Sequence, residues 1–299
     1  MLKNVIVAVT GLIFLSVLIP NASKDSNNKA QVLGTGTETP ALLRLQASPE
    51  IADHVLPPTL TAKAALAVDL NSEALLYTFN FDEKLPIASL TKLMTALVAM
   101  EKLKLADEVT VQREDTFVVG SSMGLVPDEK ILVHDLLKGL LISSSNDAAK
   151  ALATAAGGEK VFVGHMNEYA KKLNLYSTRF TNPVGYDHED NYSTANDLIK
   201  IVKEFLNYPT LSEIVQTREE RITSVDKIHT HKLRSTNKLL LEDQKIVGIK
   251  TGFTSVAQGN LIIRAKEDGK DVVTVVLGSA NREEDSRKLL EWLFQVYRW

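Results

Sequence analysis

The apolar positions of the chain change period along its length. Ala64-Ala65-Leu66-Ala67-Val68 and Leu75-Leu76-Tyr77-Thr78-Phe79 are continuous apolar runs on either side of Asp69-Leu70-Asn71-Ser72, which predicts two antiparallel strands joined by a turn. From Leu90 the period lengthens. Leu90, Leu93, Met94, Leu97 and Val98 recur at helical spacing, and Val133 to Leu141, Asp147 to Ala156 and Lys160 to Leu173 repeat the pattern. Gly157-Gly158 ends the second of these segments. Thr194 with Asp197 three residues later reads as a capping box that opens a helix from Ala195 to Leu206, after a loop at Asn182-Pro183-Val184-Gly185. From Arg221 onward strands return at Ile246 to Thr251, Gly259 to Arg264 and Val272 to Leu277. Asn281, with Glu284 three later, caps a last helix from Arg282 to Trp299 whose stripe is Leu289, Leu290, Leu293 and Val296. The order strands, helices, strands, helix predicts an α/β layered domain. Its antiparallel sheet is split in sequence by inserted helices, and a cleft is expected where the helical part meets the sheet.

Ahead of that domain, Met1-Leu2-Lys3-Asn4 precedes a stretch from Val5 to Ile19 that is apolar apart from Thr10, Gly11 and Ser16. Residues 1–22 are expected to be an export segment, cleaved as a signal or retained as an anchor, because the apolar length falls between the two. Residues 23–61 read as a flexible spacer rich in polar and small residues, leaving 62–299 as the folded domain. At 299 residues, 44% apolar and 24% charged, the chain can bury one large core or two small ones. A formal net charge of −3, with no basic run interleaved with aromatics, argues against nucleic acid as a partner. The absence of cysteine excludes disulfides, thiol nucleophiles and a lipidated cysteine, and it fits export.

The stretch Pro86 to Leu97 joins the buried helical stripe to a candidate nucleophile. Ser89 and Lys92 are three apart and rise together on a face beside the stripe. At a helix start the unpaired N–H groups favour negative charge, so an oxyanion forming at Ser89 would be stabilised, and a neutral Lys92 could take the hydroxyl proton. Ser-x-x-Lys also occurs at Ser26, Ser224 and Ser235, and the plain alternative is a cap for Ser89 and an exposed helix lysine for Lys92. Two further motifs narrow the choice. Ser144-Ser145-Asn146 opens a helix after Leu140-Leu141-Ile142, and Lys250-Thr251-Gly252 ends a strand. Ser-x-Asn recurs at Ser26, Ser235 and Ser279, whereas Lys-Thr-Gly occurs once. Taken singly, these are a cap, a surface lysine and a turn glycine; taken in order, they share a chemical explanation. His229-x-His231 and Asp187-His188-Glu189-Asp190 offer metal-binding side chains, but spacing places no third or fourth ligand. They read as exposed loop and strand residues, and neither metal nor cofactor is expected.

The three motifs in this order mark penicillin-binding proteins and class A β-lactamases. The likeness extends through Ala88 to Ala96, Asp135-Leu136-Leu137, Ser144 to Ala149, Phe180 to Gly185, Ser193-Thr194-Ala195 and Gly248 to Thr254. Over residues 62–299 the chain resembles the D-alanyl-D-alanine carboxypeptidases, the low-molecular-mass penicillin-binding proteins of peptidase family S11. The resemblance implies a β-lactamase/transpeptidase-like fold, an antiparallel sheet flanked by helices with an inserted helical subdomain. It implies an exported enzyme at the outer face of the cytoplasmic membrane, in the periplasm or in the cell wall. Many family members continue into a β-rich domain and an amphipathic anchoring helix; here the amino-terminal segment is the candidate membrane tether. A second departure is Ser145, where many relatives carry glycine.

By the same resemblance, Ser89 would attack the carbonyl between the terminal D-alanines of a peptidoglycan stem peptide, with Lys92 as base, its pKa lowered by burial beside Lys250. Ser144 would pass a proton to the leaving amine, and Asn146 would bind the substrate amide. Lys250 and Thr251 would meet the terminal carboxylate. The backbone N–H groups of Ser89 and Phe253 would hold the oxyanion, Gly252 allowing the close approach. β-Lactam antibiotics would be covalent inhibitors. Class A enzymes deacylate through a glutamate between the second and third motifs. The corresponding Leu175 to Tyr192 has only Glu189 and lacks a Glu-x-x-Leu-Asn signature, so a penicilloyl enzyme is expected to persist. The nearest rival is a D,D-endopeptidase that cuts cross-links. A non-catalytic wall-binding module is a further alternative, against which the intact Ser89, Lys92, Ser144 and Lys250 argue.

Overall fold

The structure, a computed structural model, describes residues 47–53 and 55–299. The export segment and residues 23–46 of the expected spacer lie outside the described residues. Among those described, no helix is long and apolar enough to cross a membrane.

Five antiparallel strands make the main sheet: β1 (Ala64–Asp69), β2 (Leu75–Phe79), β3 (Ile246–Thr254), β4 (Gln258–Glu267) and β5 (Lys270–Ser279), in the spatial order β3-β4-β5-β1-β2. Leu66 opposite Val275 and Val68 opposite Val273 join the two halves of the sheet that the sequence separates. The continuous apolar runs are explained by two covered faces. Leu66, Val68, Val273 and Val275 point to the helical core, while Ala65, Ala67, Val272 and Val276 alternate with them and point to the opposite core. That second core is closed by the carboxy-terminal helix through Leu289, Leu290 and Leu293.

Between β2 and β3 the chain forms α1 (Lys92–Lys102), α2 (Val133–Ile142), α3 (Asn146–Ala155), α4 (Glu159–Lys172), α5 (Ala195–Leu206), α6 (Pro209–Ile214) and α7 (Lys238–Glu242). α1 is the centre of this insert. Leu90, Leu93, Met94, Leu97 and Val98 are each at most 1% exposed, so each contributes roughly 1.5–3 kcal/mol of apolar burial, and Leu97→Ala would cost about 2–5 kcal/mol. Gly157 and Gly158 end α3 with φ of +103° and +95°, a left-handed turn that side chains resist. The expected capping box of α5 is half formed. Thr194 Oγ1 accepts the Asp197 N–H at 3.0 Å, but the Asp197 carboxylate turns away to accept from Ser177 N–H and the Thr178 hydroxyl.

The last helix, α8 (Arg282–Val296), starts at Asn281 as expected but ends before Trp299. Tyr297–Arg298 leave the helix and pair with Glu50–Ile51, while Tyr297 stacks edge-on against Trp292 and Trp299. The spacer assignment for 23–61 therefore reaches too far. Trp292 Nε1 donates to Val55 O, and buried Asp285 accepts from both the Thr61 N–H and its hydroxyl.

Candidate active site

Ser89 is in a single 3-10 turn, Ala88–Thr91, that runs into α1, rather than in the first α-helical turn itself. It is no helix cap: its hydroxyl faces the cleft, 2.9 Å from Lys92 Nζ. Three packed elements set the turn. Asn260 on β4 donates to Pro86 O at 3.0 Å while accepting from Gly278 N–H, so the sheet fixes the chain three residues before the serine. A Cβ on Gly252 would lie 2.9 Å from Ile87 O and 3.2 Å from Ser89 N, and one on Gly185 would lie 2.0 Å from Ala88 O. Both glycines are thus the residues that let β3 and the 180–185 loop close on the Ser89 turn from opposite sides.

Lys92 is completely buried, not on an exposed helix face. Besides Ser89 Oγ it meets Asn146 Oδ1 at 2.7 Å and Val184 O at 2.6 Å. The second carbonyl is delivered by a built turn: Asn182 Oδ1 accepts the N–H groups of Val184, Gly185 and Tyr186, and Thr95 Oγ1 donates to Pro183 O at 2.6 Å. A neutral amine has two N–H bonds and one lone pair. The two carbonyl oxygens can only accept, so they take the N–H bonds, and the lone pair faces the one partner that can donate, the Ser89 hydroxyl. Burial holds the Lys92 ammonium well below the usual lysine range, and Lys250 pushes it further down against the pull of Asp147.

Across the cleft, Lys250 on β3 donates to Ser144 Oγ at 2.8 Å and to Thr251 O at 3.1 Å. Ser144 lies between α2 and α3 with φ of +59°, a sparsely populated conformation of the kind found at functional sites. Thr251 is 2.6 Å from Thr236, oxygen to oxygen. Asn146 donates through Nδ2 to Val119 O at 2.6 Å, tying α3 to a loop that forms the cleft wall. Phe253 is 65% exposed on the edge strand, beyond Gly252. Burial first, and the Arg282 guanidinium second, push Lys250 down to about 7. Motif reading missed Arg282. It donates to Gly252 O at 2.7 Å, and the only local sign of it was its place at the start of α8, beside the recognised cap.

The sequence model of the D-alanyl-D-alanine carboxypeptidases, peptidase S11, matches residues 51–281. The chain belongs to this family. The D-alanyl-D-alanine carboxypeptidase DacF of Bacillus subtilis (strain 168) is 35% identical over 246 residues, which cover 79% of this chain and 63% of the relative. The D-alanyl-D-alanine endopeptidase of Escherichia coli (strain K12) is 34% identical over 243 residues, 79% of this chain and 78% of the relative. The chain thus spans less than two thirds of the length of DacF. The crystal structure of the Streptomyces K15 DD-transpeptidase matches with a TM-score of 0.77 and 32% identity, over 81% of this chain and 100% of that one. The β-lactamase/transpeptidase-like fold implied by the family resemblance is the fold observed.

Within this S11 peptidase the other copies of the motifs among the described residues do different work. Ser224 donates to Asp226 in a turn, and Ser235 Oγ accepts the Asn237 N–H. Asn237 and Asn281 cap α7 and α8 by accepting the N–H groups of Leu240 and Glu284, whereas Asn146 bonds Lys92 and Val119. The histidine reading needs correction. His231 is 5% exposed and hydrogen-bonded to Glu129, because its strand packs on the cleft wall. Among the described residues, no group of three or more His, Asp or Glu side chains is arranged to hold a metal ion.

Proposed function

We propose that this S11 peptidase is a serine D,D-carboxypeptidase acting on peptidoglycan stem peptides that end in D-Ala-D-Ala. The observation that carries the reading is the environment of Lys92, whose two carbonyl partners leave its lone pair for the Ser89 hydroxyl. Ser89 Oγ attacks the penultimate carbonyl carbon and its proton passes to Lys92 Nζ. The backbone N–H groups of Ser89 and Phe253 receive the oxyanion. Ser144, hydrogen-bonded to Lys250, hands a proton to the leaving D-alanine nitrogen as the C–N bond breaks, and Asn146 holds the substrate amide. The terminal carboxylate pairs with Lys250 and Thr251, with the Arg282 charge behind them. Water then cleaves the acyl-enzyme. Action on this substrate sets the protein in the cell envelope, outside the cytoplasmic membrane, with residues 1–22 as its tether or signal.

β-Lactams acylate the same serine by the same steps. No carboxylate is hydrogen-bonded to Ser89 or Lys92 among the described residues. Asp147, the acid whose charge acts on Lys92, spends its oxygens on backbone N–H groups and the Ser122 hydroxyl, and Glu189 is exposed. The penicilloyl enzyme therefore persists. Fluorescent penicillin should label Ser89 stoichiometrically, and Ser89→Ala should abolish labelling while Ser224→Ala and Ser235→Ala retain it. Labelling at another residue, or rapid turnover of the antibiotic, would refute the mechanism. A D,D-endopeptidase is the second reading, favoured by the 34% identity to the Escherichia coli endopeptidase over 78% of its length. Products decide between them: free D-alanine from a pentapeptide, or monomers from cross-linked muropeptides.

A further inference from the structure

The hairpin Glu219–Thr223/Thr230–Arg234 stands outside the main sheet and supplies none of the residues above. One of its side chains nevertheless grips the cleft wall. His231 Nδ1 is 3.0 Å from Met123 O and Nε2 is 2.6 Å from Glu129 Oε1, with both side chains buried. The second Glu129 oxygen accepts the Val126 N–H at 3.0 Å. A carbonyl and a carboxylate are both acceptors, and a neutral imidazole has a single N–H. Satisfying both contacts takes an imidazolium against ionised Glu129, or the same proton carried on the Glu129 carboxyl. The closed bridge therefore holds one proton more than a neutral ring beside a carboxylate.

The wall runs from this bridge to the reacting groups. Val119 O accepts Asn146 Nδ2 and Ser121 O accepts the Asn146 N–H at 2.8 Å, while Asn146 Oδ1 accepts from Lys92. Between those points and the bridge, Asp147 accepts from the Ser122 hydroxyl and from the Met123, Gly124 and Leu125 N–H groups. Tyr186 holds Val119 at one end of residues 119–129 and Val111 holds Asp128 and Glu129 at the other, while Asn146 and Asp147 of α3 and His231 of the hairpin hold the stretch between.

We propose that His231 is a positioning residue: bridged to Glu129, it holds the cleft wall 119–129 against α3 and keeps Asn146 aligned for the substrate amide, and the bridge opens when its proton is lost. The proposal rests on the substrate-binding role given to Asn146 above. The charged groups facing the ring are Glu129 from the wall and Asp147 from α3. Lys138 of α2 pairs instead with Glu220 of the hairpin and Asp135 of its own helix, and the strand neighbour of His231 is Ile222. The hydrogen bond to Glu129 holds the ring above the usual histidine value of 6.5, against the effect of burial. A raised value means that the bridge is fully closed below pH 6.5 and is lost as pH rises through the raised value.

The test compares wild type, His231→Gln and Glu129→Gln, reading the β-lactam acylation rate and the kcat and KM on a D-Ala-D-Ala peptide from acidic to alkaline pH. Amide hydrogen exchange at Met123 to Val126 is followed in parallel. His231→Gln should lower kcat/KM roughly tenfold, mainly through KM, and speed exchange along the wall. In Glu129→Gln the amide donates to Nε2 while the Nδ1 proton still reaches Met123 O, so a neutral ring closes the bridge. Its rate should match wild type at neutral pH and fall less at alkaline pH. The titration of Lys250 is common to all three proteins and cancels in the comparison. A folded His231→Gln protein with unchanged kinetics and exchange, or one altered only in melting temperature, would overturn the proposal. Should His231→Gln not fold, an alkaline fall in Glu129→Gln equal to wild type would overturn it. If wild type itself is not acylated, the D,D-peptidase reading fails, and wall exchange alone then decides the bridge.

Discussion

Lys92 and Lys250 are both buried and each lies within hydrogen-bonding distance of a serine, yet the two sides of the cleft treat the same residue type differently. Lys92 has carbonyl oxygens from two separate elements, Asn146 of α3 and Val184 of the 180–185 loop, so a neutral amine there is fully satisfied. Lys250 has one hydroxyl and the carbonyl of Thr251, the residue after it on its own strand, with the Arg282 guanidinium close enough to lower its pKa. One N–H of its ammonium is left for an anion. Burial depresses both lysines, and in the proposed mechanism the fixed dipoles divide their roles: saturation as a neutral amine suits a base, and an open cationic face beside a second cation suits a carboxylate receptor.

The sharpest way to break this contrast is Lys92→Met. Loss of the base should lower β-lactam acylation by about 10²–10⁴ at every pH, measured by stopped flow. A residual rate within tenfold of wild type would mean that Lys92 is not the base.

Lys250→Met should act on binding. A rise of roughly 30-fold or more in KM, with kcat less affected, is expected when one partner of a buried charge pair is removed. Equal losses in kcat would place Lys250 with Lys92 in the proton transfer.

The pH dependence separates the two lysines further. As pH rises, kcat/KM should climb while Lys92 loses its proton and fall as Lys250 loses its own above about 7, so Lys250→Met removes that part of the falling limb. Arg282→Leu removes a charge that depresses Lys250 and should move the falling limb to higher pH, leaving the rising limb in place. Stability obeys the same linkage. Between about 7 and 10.5 the folded Lys250 is neutral while the unfolded one is protonated, so the unfolded chain binds more protons and the melting temperature should rise with pH. Lys92 and His231 add their own slopes, so the wild-type profile is read against Lys250→Met, and no difference in slope across that window would put the pKa of Lys250 near its unfolded value.

The smallest effect is expected far from both lysines. Deleting residues 1–61 removes the Thr61 bonds to Asp285 and the Val55 and Glu50–Ile51 contacts with the end of α8, none of which touches the cleft. Tm should drop by roughly 2–8 °C with acylation unchanged. A loss of acylation in the folded truncation would link the amino-terminal region to catalysis.

Local information carried much of this protein. The period of apolar residues located β1, β2 and helices α1 to α5, down to Ala195–Leu206 residue for residue, because each element buries a face its own sequence spells out, whereas the short α6 and α7 carry too few turns to show a period. Asn281 marked the start of α8 through a cap three residues long. The motifs at Ser89, Ser144 and Lys250 were readable as a set, since their chemistry requires particular residue types in order. Tertiary structure decided what spacing cannot encode. The role proposed for Lys92 depends on oxygens supplied from positions 146 and 184, whereas Ser224 and Ser235, which open other Ser-x-x-Lys copies, bond Asp226 and the Asn237 N–H. α8 ends at Val296 because Tyr297 finds Glu50–Ile51 and an aromatic cluster, partners distant in sequence. His231, which reads as an exposed strand residue, is buried because Glu129 and Met123 fold over it. Amphipathic pattern and capping act within a few residues and are written locally, whereas desolvation and the pairing of buried polar groups depend on which distant segments meet, and only the packed fold determines that.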